Sequence, residues 1–168
     1  MIKDLGKYVI MFFVLILVQV LILNNIQISG FINPYIYILF ILLLPFNIPG
    51  YFLLGFSFLI GITIDIFGNT PGIHAGASVL LGFVRPALAQ LVSTRELIEK
   101  GQTPTMTILG MANFIKYTVI AVLIHHLVLF FAETFSFGDI LETLLRWLIS
   151  SIFSILIILG SQFIIFKN

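Results

Sequence analysis

Residues 61–86 read GITIDIFGNTPGIHAGASVLLGFVRP, which is the end of one apolar span, a tight turn and most of the next span. Two glycines, an asparagine and a proline fall within residues 68–72, a composition typical of a sharp reversal of the chain. Asp65, His74 and Arg85 lie at depths where the neighbouring residues are almost purely apolar. The stretch therefore predicts two membrane helices joined by a rigid turn, with a few polar groups between them.

The composition is that of an integral membrane protein. Of the 168 residues, 60% are hydrophobic and only 9% are charged, and the mean hydropathy of +1.20 lies far above soluble-domain values. The net charge of +1 provides no basic surface for nucleic acid, and no cluster of lysines and arginines resembles a polybasic lipid-binding patch. Because the chain has no cysteine, disulfides and thiolate chemistry are excluded.

Six apolar segments have roughly the length that a hydrocarbon core of about 30 Å requires. The first could be a signal peptide, but it continues into polar residues without a cleavage site, so we expect a retained span. We predict an all-α integral membrane protein with one transmembrane domain, residues 1–168, and a charged cytoplasmic loop at about 93–105. The predicted spans are about 8–28, 34–46, 51–67, 72–91, 106–131 and 139–166.

The positive charges predict the orientation. With six spans and an inner N-terminus, the outer turns carry no lysine or arginine, only Glu133 and Asp139. Since cytoplasmic segments are enriched in lysine and arginine, both termini are expected in the cytoplasm. The residues that carry this bias are Lys3, Lys7, Arg95, Lys100 and Lys167.

Small and polar residues recur at helical spacing along three spans, as expected where helices pack closely in a membrane. The first and second spans lack such a stripe, and we expect them to face lipid or a partner. The stripes are Ser57, Gly61 and Asp65 on the third span; Ala75, Ser78, Gly82, Arg85 and Ala89 on the fourth; and Thr143, Trp147, Ser150, Ser154 and Ser161 on the sixth.

Charged residues within apolar spans are candidate functional sites, because an unpaired charge in hydrocarbon is costly. Asp65 could pair with Arg146 across the bundle, bond His125 or the first N–H groups of the fourth helix, or handle a substrate or proton. Glu142 and Arg146 also have the i, i+4 spacing of a local ion pair. Arg85 and Lys116 lie nearer the inner face, where long side chains can extend to the phosphate level.

The histidines do not form a recognisable metal or catalytic motif. Adjacent His125 and His126 point about 100° apart on a helix, so they cannot easily hold one ion. His74 is expected to bond the backbone of the turn. No nucleotide-binding, hydrolase or zinc motif occurs, and Asp65 lacks the second aspartate of an aspartyl mechanism. We expect no cofactor and no enzymatic activity.

The order of residues in the central stretch resembles the rod shape-determining MreD family, small six-span inner-membrane proteins of bacterial cell-wall elongation. The resemblance covers about 25 residues and implies a non-enzymatic role. Such a protein binds MreC and links MreB filaments to the RodA glycosyltransferase and a class B penicillin-binding transpeptidase. The residues that carry it are Gly61, Asp65, Gly68, Pro71, Gly72, His74, Ala75, Gly82 and Arg85.

The same family is similar in helical plan to the substrate-binding S-components of energy-coupling-factor vitamin transporters. An S-component-like protein that binds and transports a small molecule is therefore the alternative. Such a site needs several convergent polar or aromatic groups. The short outer turns offer few of them, which favours the scaffold.

Overall fold

A computed structural model describes residues 5–26, 33–134 and 140–165, and within these ranges the chain is mainly helical and has no strand. Five helical stretches are long and apolar enough to cross a membrane, which indicates a multi-pass membrane protein. They are α1 (Leu5–Leu21) with a following 3₁₀ turn (Leu23–Asn25), α3 (Gly50–Gly68), α4 (Ile73–Val92), α7 (Met111–Thr134) and α8 (Ile140–Ile165). Three short helices lie between them: α2 (Ile38–Leu43), α5 (Arg95–Glu99) and α6 (Met106–Leu109).

The third, fourth and sixth predicted spans coincide with α3, α4 and α8. The fifth is divided at Gly110, whose φ of 76° separates α6 from α7. The charged loop contains the short helix α5, capped by Thr94, whose side-chain oxygen accepts the N–H of Leu97. The end of the first predicted span, beyond residue 26, lies outside the described residues.

The chain reverses tightly between α3 and α4, as the sequence predicts, and two residues of this turn have left-handed backbone conformations. Asn69 has φ 53° and Gly72 has φ 83°, conformations that favour asparagine and glycine. We call this end of the bundle the turn end, and the opposite end, with residues 93–105, the loop end.

The helices α3 and α4 pack with their backbones in contact. A Cβ atom built on Gly61 would lie 2.6 Å from the Cα of Ala75, and one on Gly82 would lie 2.5 Å from Oγ of Ser57. The predicted stripes of α3 and α4 are buried in the bundle, and so are Thr143, Ser150 and Ser154 of α8. The prediction that these stripes face the interior is confirmed for those residues.

The second predicted span is helical only in part, and it does not face lipid or a partner. We call residues 33–46 the central segment: it is helical over Ile38–Leu43, residues 33–36 before that helix have no regular secondary structure, and Leu44 after it is extended. Every residue from Tyr35 to Leu44 is buried. The segment expected to face lipid or a partner is therefore the core of the bundle, with α1, α3, α4 and α7 packed against it.

The short helix of the central segment ends for a local reason. Leu44 precedes Pro45, and a residue before proline is disfavoured in the helical region. Leu44 accordingly has φ −61° and ψ 147°, which is extended. Pro49 then precedes α3, so the chain reverses between residues 45 and 49 as the sequence predicts.

The close approach at Gly61 gives a direct test of the α3–α4 contact. Gly61→Ala should destabilise the protein by about 1–3 kcal/mol, because the new methyl group meets backbone atoms that cannot move aside. Thermal unfolding in mild detergent, followed by size-exclusion chromatography, measures the loss.

Gly55→Ala is the matched control on the same helix. A Cβ atom at Gly55 has nothing within 4 Å, and replacing a helical glycine by alanine stabilises by roughly 0.5–1 kcal/mol. Equal melting temperatures for the two variants would contradict the close α3–α4 contact.

Candidate functional site

The first part of the central segment, residues 33–36, is held by side chains from α1 and α8. Oε1 of Gln19 accepts the N–H of Ile36 at 2.9 Å, and Nε2 of Gln19 donates to the carbonyl of Pro34 at 3.1 Å. The N–H of Tyr35 donates to Oγ of Ser154 at 2.8 Å. Because this stretch belongs to neither a helix nor a sheet, these side chains replace the missing backbone partners.

Arg85 of α4 holds the other end of the central segment. Its Nη2 donates to the carbonyls of Leu42, at 3.3 Å, and Leu44, and its Nη1 lies 3.5 Å from the carbonyl of Pro45. Its Nε donates to the hydroxyl of Tyr117 at 2.9 Å, and that hydroxyl donates to Leu42.

The expectation that the head of Arg85 extends towards the phosphate level is wrong, since the side chain is only 1% exposed. The guanidinium instead caps the C-terminal carbonyls of α2, where a positive charge is favoured. Lys116, by contrast, is exposed.

A cluster of tyrosine and histidine side chains fills the bundle at the middle of the central segment. The hydroxyl of Tyr37 lies 2.9 Å from both Nδ1 of His74 and Nε2 of His125, and Nε2 of His126 lies 2.9 Å from Oγ of Ser154. One hydroxyl proton cannot serve both imidazoles, so one of the two rings donates an N–H to Tyr37. The prediction that the His74 side chain bonds the turn backbone is wrong, because it reaches Tyr37 instead.

Asp65 caps the start of α4. Its Oδ1 accepts the hydroxyl of Thr70 at 2.8 Å and the N–H of His74 at 3.0 Å, and its Oδ2 accepts the N–H of Ala75 at 2.8 Å. Of the partners considered from the sequence, the N–H groups of the fourth helix are therefore the ones that bind this carboxylate. The arrangement stabilises both the charge and the turn, since a helix N-terminus favours an anion.

Arg146 pairs with neither of its expected partners. Its Nη2 lies 3.4 Å from Oε2 of Glu133 on α7, and its guanidinium lies 5.4 Å from the ring centroid of Phe130. Asp65 is bound to the α4 N-terminus, and Glu142 is exposed. The ion pair at this end therefore joins α7 to α8.

The sequence does not predict which residues hold the central segment. Gln19 had a signal, because it is the only strongly polar residue inside the first span. Tyr37 and Tyr117 had none, since tyrosine is common in membrane proteins. Ser154 belongs to a predicted interior stripe, but the sequence does not predict its bond to the backbone of the central segment.

The Ser154–His126 pair has the distance of a nucleophile and its base, yet it lacks the surroundings of a catalytic pair. Ser154 is fully buried and already accepts the N–H of Tyr35, and Nδ1 of His126 has no hydrogen-bond partner to orient the ring. No substrate carbonyl can approach this hydroxyl. Among the described residues, no group of three histidine, aspartate or glutamate side chains is arranged to hold a metal ion.

Two cavities open at opposite ends of the bundle. At the loop end, a groove of about 580 Å³ lies between α1 and α3. At the turn end, a smaller cleft of about 270 Å³ is lined by polar side chains that include Asn24, Asn33, Thr70 and Glu133.

The chain shows no significant match to a protein-family model, to a curated protein or to a solved structure. The resemblance to the MreD family therefore depends on the residues that carry it.

Arg85 offers the sharpest test of how the central segment is held. Arg85→Met should lower the free energy of unfolding by more than about 2 kcal/mol, because each buried acceptor left unpaired costs roughly 1–3 kcal/mol. Thermal unfolding in mild detergent measures the effect.

Arg95→Met is the matched control, since Arg95 is exposed and pairs only with Glu99 on the same short helix. Such surface pairs contribute at most about 1 kcal/mol. A melting temperature of Arg85→Met equal to that of the wild type would show that the central segment does not need this guanidinium.

Proposed function

We propose that this chain is an MreD-like, non-enzymatic scaffold subunit of the bacterial cell-elongation complex. In this role it lies in the inner membrane and binds MreC. Through MreC it helps couple MreB filaments to the RodA glycosyltransferase and a class B penicillin-binding transpeptidase, and so maintains cell shape.

The observation that carries this proposal is that the motif residues contact and bond other parts of the same chain. Gly61, Ala75 and Gly82 lie on the close α3–α4 contact, while Asp65 and Arg85 are buried and bonded to backbone groups. A motif whose polar groups are all engaged internally supports a structural role. A scaffold needs a fixed internal frame and apolar outer surfaces, and α1 and α8 supply such surfaces through Ile10, Phe13, Leu17, Leu141 and Leu156.

We further propose that the central segment is a sixth crossing. Such a crossing requires the segment to run from one end of the bundle to the other. Its ends support this, because Asn33 lines the turn-end cleft and Phe46 bonds the backbone of Gln102 at the loop end.

With six crossings the loop end is cytoplasmic, in keeping with Lys7, Arg95 and Lys100 there. Lys3, Lys167 and Asp139, which also entered the predicted orientation, lie outside the described residues.

The turn-end cleft is the observation that favours the alternative, a protein that binds and transports a small molecule. Its amide, hydroxyl and carboxylate groups converge as they do in a ligand site. Its volume of about 270 Å³ lies just below the range of about 300–1,000 Å³ that is usual for small-molecule sites. We therefore place this function second to the scaffold.

Co-purification from the native cell distinguishes the two functions. The tagged chain, extracted in mild detergent, should bring with it an MreC-like protein and the wall synthases. A tagged multi-pass protein of unrelated function is the control. Recovery of an ATPase pair with a coupling subunit would establish the transporter instead.

Single-cysteine labelling tests the topology. Because the sequence has no native cysteine, only the introduced residue can react. Asn25→Cys and Pro71→Cys should react with a membrane-impermeant maleimide in intact cells, whereas Asn47→Cys and Glu99→Cys should react only after permeabilisation. All four positions are exposed. Labelling of Asn25→Cys and Asn47→Cys from the same side would contradict a sixth crossing.

A further inference from the structure

The groove at the loop end has a rigid apolar floor. Phe40 and Leu44 of the central segment form its base, and Phe12 of α1 and Phe56 of α3 form its walls. The rings of Phe12 and Phe40 meet edge to face at 5.3 Å, and those of Phe40 and Phe56 at 6.2 Å. The groove is therefore lined by interlocked aromatic side chains that hold its shape.

The side of the groove away from the central segment is open. Val9 and Phe13 of α1 and Leu59 of α3 line it and remain exposed. In a membrane, exposed apolar side chains on these two helices meet lipid chains. A lipid can therefore enter sideways, without passing through water.

One end of the groove is polar and positively charged. Lys7 and Lys100 line it together with Asn47, Gln102 and Thr103, and no acidic residue of the described chain is among the lining side chains. Lys100 donates to Glu96 at 2.6 Å, but both side chains are well exposed and such a pair is weak.

The polar end of the groove is fixed to the bundle. The hydroxyl of Tyr8 lies 2.8 Å from Oγ1 of Thr103, and the N–H of Phe46 donates to the carbonyl of Gln102 at 3.1 Å. The charged end is thus a preformed part of the fold.

We propose that this groove binds one anionic phospholipid from the leaflet at the loop end. One acyl chain lies on the aromatic floor between α1 and α3, and the phosphate faces Lys7 and Lys100. The two lysines are 93 positions apart by their numbers, so no basic cluster in the sequence marks the site. The site does not depend on the scaffold role, only on the chain lying in a membrane.

The size and polarity of the groove distinguish a lipid from other occupants. Its volume of about 580 Å³ is in the range of small-molecule sites, whereas a membrane-spanning partner helix about 10 Å across and about 30 Å long needs several times that volume. A free phosphate would leave the apolar floor unused. Only an amphiphile with a negative head uses both ends.

The test uses the delipidated full-length protein in mild detergent. It is titrated with phosphatidylglycerol or with phosphatidylcholine of the same acyl chains, and native mass spectrometry counts the bound lipids. We expect one phosphatidylglycerol to bind with clear preference over phosphatidylcholine. The Lys7→Gln, Lys100→Gln double variant should lose about 25-fold in affinity, since each lysine near the membrane surface contributes roughly a factor of five.

Two controls accompany this test. Lys116→Gln removes an exposed lysine that does not line the groove and should leave lipid binding unchanged. Val9→Trp places a large side chain in the groove and should abolish binding. Val14→Trp, on the same helix and equally exposed at 49% against 47% but not lining the groove, should bind like the wild type. Unchanged melting temperatures verify that the variants fold.

Three results would overturn the proposal. Equal binding of the two lipids would remove the role of the lysines. Binding unaffected by Val9→Trp would indicate adsorption of a headgroup or free phosphate. A protein that binds neither lipid, but loses a membrane partner when Val9 becomes tryptophan, would assign the groove to a protein helix.

Discussion

The structure depends on a constraint that any non-helical backbone inside a helical membrane bundle must meet. Hydrocarbon offers no hydrogen bonds, so each N–H and carbonyl of such a segment needs a partner from the protein. The central segment finds these partners on four helices: Gln19 on α1, Ser154 on α8, Arg85 on α4 and Tyr117 on α7. The surrounding helices are positioned so that these side chains reach the segment.

This constraint explains why polar residues at membrane depth are here mainly structural. Asp65 and Arg85 would each be a candidate for substrate or proton handling by position alone. Both instead bond backbone groups, Asp65 at the N-terminus of α4 and Arg85 at the C-terminus of α2. Each charge lies where the backbone presents the opposite partial charge, so neither requires an oppositely charged side chain.

The α3–turn–α4 unit could be predicted from the sequence because its signals are local. The turn residues, the small-residue stripes and the binding of Asp65 to the next helix all lie within residues 57–89. The central segment could not, because a short continuous apolar run does not distinguish a helix from an extended strand. Pro45 ends its short helix locally, but the residues that bond its backbone, such as Gln19 and Arg85, are distant in sequence. The members of the tyrosine–histidine cluster and the two lysines of the groove are likewise distant from one another in sequence.

The order of the chain has a consequence for biogenesis. Residues 33–46 leave the ribosome before Arg85, Tyr117 and Ser154, the side chains that satisfy their backbone, have been synthesised. A translocon that released each apolar segment directly into lipid would expose unpaired N–H groups to hydrocarbon. The segment must therefore be sheltered, or adopt another conformation, until α8 arrives. The hydrogen bonds of the central segment are thus complete only once α8 is in place.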